Sequence, residues 1–358
     1  MFLFNKKIYL YLYIFFLNLV FIFSEFSTNF ALSKNYIISQ VEIEEDYDLN
    51  FDKSKVIDKG FLKAFDILIH KIVLKKDRSK LEKISLKKIK SMIDNFSIVD
   101  EKFIKSKYMS QFEVEFNRKK TINFLKEKNI ISSLPKEIKS FILPVLIDIK
   151  KNELYYLNKN IFFDNWNDVS KKYFLINYVL PNEDIEDYSI IKKNISDIEH
   201  FNFNEITKKY NLKNHIILIM LKSDDILKIF SRIKFAEKNM LMNKIYNNVN
   251  INDKEIVNNI ILDLKENYDD KWKSINQFNT SIALPIKLLI DSKDIVLSKK
   301  FENTLLELEL VSEFKIEKFN NKEILYKIIF NSSPDKFLDS MFFLDYKIDT
   351  SDAIWKLK

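Results

Sequence analysis

Four residues at alternate positions, Asp46, Asp48, Asn50 and Asp52, have the spacing with which a calcium-binding loop presents its oxygen ligands. The loop is not completed. Phe51 stands where such a loop needs glycine for its sharp turn, and Ile57 where it needs a bidentate glutamate. The adjacent pairs Asp224–Asp225 and Asp269–Asp270 are carboxylates of the kind that cap helices or hold a divalent ion, and capping or plain solvation is the expected use. His70, His200 and His215 are far apart, and none belongs to an H-E-x-x-H zinc pair, so each reads as a helix-face or strand-end residue. Trp166, Trp272 and Trp355 have the ring surface that lines sugar or peptide grooves, but the default for lone tryptophans is core packing.

Whole classes of chemistry fall away with composition. A single glycine, Gly60, leaves no way to write a P-loop, a dinucleotide fingerprint or a nucleophile elbow. The absence of cysteine removes thiolate nucleophiles, disulfides and Cys-ligated metal centres. The net charge of +7 invites a nucleic-acid reading. The cations are nearly all lysine, however, and the only arginines are Arg78, Arg118 and Arg232, whereas phosphate and base-edge recognition favours the arginine fork. Acidic and basic residues also alternate, as between Lys75 and Lys90, so most of this charge is solvated helix surface. No nucleic-acid partner and no cofactor is expected, and no catalytic, cofactor-binding or metal-binding residue is nominated.

The first residues carry an address. Lys6 and Lys7 precede an apolar run from Ile8 to Phe23, broken only by Asn18, and then come Ser24, Glu25, Ser27, Thr28 and Asn29. This is the order of a secretory signal, with Ala31 and Ser33 supplying the small side chains of a cleavage site. Residues 1–33 are therefore expected to be a signal peptide or, if uncleaved, a membrane anchor through residues 8–23. Lysines before the run and none within it orient the body away from the cytoplasm.

Behind the leader, hydrophobic periodicity alternates between strand and helix. Ile37, Ser39, Val41 and Ile43 form one line of a strand, and Phe61, Ala64, Phe65, Leu68, Ile69, Ile72 and Val73 one face of a helix. Gly60 inside that helix implies close approach to a sheet. A helix over 86–93, two strands, the second carrying Phe112, Val114 and Phe116, and a helix over 121–128 complete a domain spanning 34–133, with Leu134 and Pro135 as linker. A middle domain, 138–276, contains a buried strand over 141–147, which Pro144 pushes toward an edge or a bulge. It continues with a helix around 166–173 and strands over 174–180 and 215–221. Helical residues lie between the last two, over 203–210. Two further strands fit between Ile226 and Tyr246, before a long helix over 253–272. Residues 277–358 read βαββαβ, with Ile282, Leu284, Ile286, Leu288 and Ile290 on the first strand, Ser333–Pro334 starting the second helix and a last strand over 346–357. The expected fold class is α+β: tandem small α/β sandwich domains, the last ferredoxin-like.

In this order and pattern the chain resembles the domain of unknown function 2066 family, uncharacterised exported proteobacterial proteins, from about Ile37 to the C-terminus. The matching features are the first strand and long helix, Phe116 followed by Arg118, the strand Leu143–Ile147 after a linker proline, and Ser281–Pro285. The strand pair ending in Tyr326–Phe330 and the terminal Ile354, Trp355 and Leu357 complete them. The family's glycines are missing here, notably after Phe330, where Asn331 stands. The resemblance implies an exported α/β protein and supplies no site. The reading is a periplasmic or inner-membrane-anchored envelope protein, a non-enzymatic accessory or protein-binding module with an unidentified envelope partner. The alternative is an envelope hydrolase or ligand-binding module. N-terminal sequencing of the tagged protein after fractionation of its host should give a periplasmic product beginning near Lys34, or an intact Met1 in the membrane fraction; a cytoplasmic product would overturn export.

Overall fold

The computed structural model describes residues 35–277, 283–308 and 310–358. The leader, and Ile282 of the expected C-terminal strand, lie outside the described residues. The fold is α+β with three separate sheets among the described residues. Asn35–Ser281 forms one compact unit that contains two of the sheets, and the residues from Ile282 onward belong to a second unit.

The first sheet is built from β1 (Tyr36–Asp46), β2 (Ile93–Ile104) and β3 (Lys107–Phe116), antiparallel in the order β1-β3-β2. Helices α1 (Lys53–Ile72), α2 (Lys75–Arg78) and α3 (Leu86–Met92) fall between β1 and β2, and α4 (Arg118–Glu127) follows β3. Helix α1 starts where Asp52 accepts from the Ser54 amide at 2.9 Å, which satisfies a donor that the first turn leaves free. Its apolar face shares one core with Ile38, Val41, Phe112, Val114 and Phe116. Gly60 is where α1 comes nearest the sheet: a Cβ there would lie 3.0 Å from the Phe112 ring. The first strand departs from simple alternation. A bulge between Ile38 and Val41, with Gln40 at φ 57°, turns both of those residues inward and leaves Ile37 exposed.

The second sheet has six strands: β4 (Ile138–Asp148), β5 (Glu153–Tyr155), β6 (Ile176–Val179), β7 (His215–Ser223), β8 (Ile226–Phe235) and β9 (Lys238–Tyr246). Its order is β5-β4-β7-β8-β9, with β6 also paired to β4. Pro144 is neither at an edge of the sheet nor in a bulge. Strand β4 pairs continuously with β7, and on its other flank Pro144 falls in the gap between β6 and β5. The Asn160 side chain fills that gap by donating to the Pro144 carbonyl at 3.0 Å. Asn160 also accepts from the Phe162 amide, so the next helix, α5, starts early, at Ile161–Trp166, and not over 166–173. Helix α6 (Ile185–Lys193), which periodicity did not reveal, is nucleated by Asp184 accepting from the Glu186 and Asp187 amides. With α7 (Asn204–Lys208) it covers one face of the sheet. The long α8 (Lys254–Ile275) covers the other with Val257, Ile260, Ile261, Leu264, Tyr268 and Trp272.

The C-terminal unit runs β10 (Leu284–Asp291), α9 (Ile295–Glu307), β11 (Val311–Phe319), β12 (Glu323–Phe330) and α10 (Pro334–Phe342), the ferredoxin-like order. Ser333 caps α10 by accepting from the Lys336 amide, and Pro334 takes the first turn. The last strand is divided. Asp349 accepts from the amide and hydroxyl of Ser351 and turns the chain, giving β13 (Ile348–Asp349) and β14 (Trp355–Leu357). Strand β14 joins β10 in parallel, and the order is β11-β12-β10-β14-β13. Tyr346 lies before these strands, its hydroxyl 2.8 Å from Thr304 on α9.

Phe112 is fully buried, so its ring has no free space into which to retreat from a larger residue at position 60. Gly60→Val should therefore cost about 1–3 kcal/mol by overpacking, outweighing the gain in helix propensity. Urea unfolding measures this, and an unchanged or higher midpoint would show that α1 can shift away from the sheet.

Candidate functional site

The residues with chemical promise are dispersed by the fold. Asp46 pairs with Lys107, Asp48 accepts from the Asn50 amide and Asp52 caps α1, so the would-be calcium ligands serve the loop itself. Among the described residues no group of three His, Asp or Glu could hold a metal ion. His200 is exposed and bonds Asp197, while burial, helped by Lys234, pulls the His215 imidazole below its usual value. Trp166 and Trp272 are buried in the core shared by the second sheet and α8. Asp224 lies in the β7–β8 turn and pairs with Lys150.

Of the two expected uses of Asp269 and Asp270, plain solvation does not hold, whereas Asp270 does serve a helix start, at the first amide of α2. Both lie inside α8, in a charged seam in which Asp270 faces the α1–α2 corner and Asp269 the segment entering β6. Asp270 accepts from the Lys75 amide at 2.9 Å and pairs with Lys273 at 2.8 Å. The buried Lys273 ammonium donates to the carbonyls of His70 and Val73, at 3.0 and 3.3 Å. Asp269 accepts from the Leu175 amide, and burial, against the pull of Lys273, pushes its carboxyl up to about 6. Lys265 donates to the Val169 carbonyl at 2.8 Å beside the rings of Trp166, Phe174 and Tyr178, and burial pulls its ammonium down to about 8.

Beside this seam lies a depression of about 370 Å³ whose polar lining is Asp66, His70, Arg78 and Glu82. A His–Asp pair is half of a hydrolytic arrangement, but among the described residues no Ser, Thr or Lys lines the cavity to act as nucleophile. His70 stacks on Tyr173 at 4.3 Å and its Nδ1 lies 2.8 Å from the Asp66 carbonyl, while Arg78 turns to Asp270. His70 and Arg78 are thereby engaged within the fold.

The strand edges differ in a more informative way. At the β1 edge the carbonyls of Gln40 and Glu42 already accept from Lys172 and Lys63. Strands β2 and β11 each have two register shifts, and β5, β6 and β13 have two to four residues. Bulges, lysines and shortness are the usual means of blocking an edge. Strand β9 has none of the bulges and is nine residues long, in unbroken register with β8 from Leu227↔Tyr246 to Phe235↔Lys238.

The two-residue turn Ala236–Glu237 makes Phe235 and Lys238 a hydrogen-bonded pair. Alternate residues on β9, from Lys238 to Tyr246, therefore bond back to β8. Asn239, Leu241, Asn243 and Ile245 direct their amides and carbonyls to the open side. All four side chains are exposed, Leu241 at 64% and Ile245 at 63%. The inner side chains are fixed: Lys244 and Tyr246 both bond Asp263 of α8, and despite burial these two bonds hold its carboxyl down to about 2. Next to Leu241, on the same face, is a depression of about 190 Å³ lined by Phe203, Ile217, Arg232 and Asn239.

No protein-family model matches this chain, and no curated protein matches it either.

The seam predicts a pH dependence. A carboxyl that binds its proton more tightly in the folded state, at about 6 against 3.8 unfolded, loses stability as pH rises between those values. Relative to the parent, Asp269→Asn should therefore gain about 2 kcal/mol between pH 4 and pH 7. Denaturant titrations at the two pH values measure this, and a difference independent of pH would contradict it.

Proposed function

We propose that this is an exported cell-envelope protein, non-enzymatic, that works by taking a strand of a partner protein onto the free edge of β9. The observation that carries this reading is the β9 edge itself: regular, nine residues long, and paired only with β8 among the described residues. In strand addition, main-chain hydrogen bonds supply affinity, and side-chain pockets on alternate positions supply selectivity. The edge offers both, because the open amides of Asn239 and Leu241 sit beside the depression lined by Phe203 and Arg232. The location rests on the leader, with residues 8–23 serving as anchor if it is retained. No helix among the described residues is long and apolar enough to cross a membrane.

Asn243→Pro isolates the edge. Proline removes an amide that β8 does not use, and edge strands are where sheets tolerate it. The variant should unfold within ~4 °C of the parent and yet recover at least tenfold less of its cross-linked partner from host envelopes. Equal recovery by parent and variant would refute strand addition at β9.

A further inference from the structure

Resting on that reading, we propose that the strand taken up by β9 is β9 of a second copy of this chain, antiparallel and related by a twofold axis through Asn243. A twofold contact must be self-complementary, each residue meeting its symmetry-related position. With the axis at Asn243, three of the four open-edge residues form hydrogen-bonded pairs with one another: Asn243 meets the partner's Asn243, and Leu241 meets the partner's Ile245. Amide lies against amide and aliphatic against aliphatic. On the other face Met240 meets the partner's Tyr246, and Met242 meets the alkyl stem of the partner's Lys244. Moving the axis one residue, to Met242, would set Leu241 against the partner's Asn243 and lose this match.

Charge favours the same occupant. Strand β9 carries Lys238 and Lys244 and no acidic residue. In the Asn243 register neither lysine lies opposite a lysine, and Lys244 is already neutralised by Asp263 of its own chain. The four open-edge residues are two asparagines and two aliphatics, so the edge presents no charge to select an oppositely charged strand. Joining the two edges makes one sheet of about twelve strands, within the range that open sheets reach, and covers each β9 edge from Leu241 to Ile245.

The absence of cysteine makes the test direct. Asn243→Cys in the full chain puts the sole thiol on the axis, with Cα atoms about 5.5 Å apart across a hydrogen-bonded pair, within reach of a short bis-maleimide. That reagent, added to the host envelope before denaturing electrophoresis, should convert most of the protein to a species of twice the monomer mass. Leu241→Cys, facing the partner's Ile245, should remain monomeric. If Asn243→Cys fails to cross-link, or Leu241→Cys cross-links as well, the self-pairing is wrong. In that case, loss of a partner by Asn243→Pro would keep the edge as a binding site for another protein; no loss would remove the site as well.

Discussion

A buried ammonium must find acceptors or give up its charge, and Lys273 meets that constraint with two carbonyls at the end of α1 and the carboxylate of Asp270. This contact ties the second sheet's principal helix to the first sheet. The same helix supplies Asp263, which bonds Lys244 and Tyr246 and fixes the inner face of β9, and which also pairs with Lys75 from the α1–α2 corner. One helix, α8, thus carries the apolar face that buries the second sheet, the charges that hold the first, and the carboxylate that positions the edge strand. With its inner face anchored this way, β9 can keep its outer amides open without fraying.

The treatment of edges follows from the same local chemistry. Where the sequence puts Gln40 in a left-handed conformation, β1 bulges and its carbonyls fall to lysines. Where β2 and β11 carry extra residues, their ladders shift. Strand β9 has no such interruption, and its alternation of Asn, Leu, Asn and Ile gives an outer face that is neither charged nor covered. Among the described residues the other long edges are interrupted and this one is regular, which is the arrangement the proposed strand addition rests on.

Much of this architecture was legible in the sequence. The apolar stripe of α1, the alternation of Phe112, Val114 and Phe116, and the Ser333–Pro334 helix start all act locally, so their periods and caps survive in the chain as written. The meaning of Gly60 was legible for the same reason. The bulge in β1, the early start of α5 and the interior place of Pro144 were not, because each depends on a partner distant in sequence or on a side chain replacing a strand. The seam left a trace: Lys265 and Asp269 fall one residue beyond Leu264 and Tyr268, on the border of an apolar stripe, where solvated charges do not belong. The β9 edge left less, because its hairpin turns at Ala236–Glu237 without Gly or Asn, and because freedom of an edge is a property of the whole sheet.

The most direct test is amide hydrogen exchange along β9 in the full chain, measured from dilute to concentrated solution. The account predicts slow exchange at Met240, Met242, Lys244 and Tyr246 throughout, and exchange at Leu241, Asn243 and Ile245 that is fast when dilute and slows as concentration rises. Fast exchange at those three amides at every concentration would contradict it.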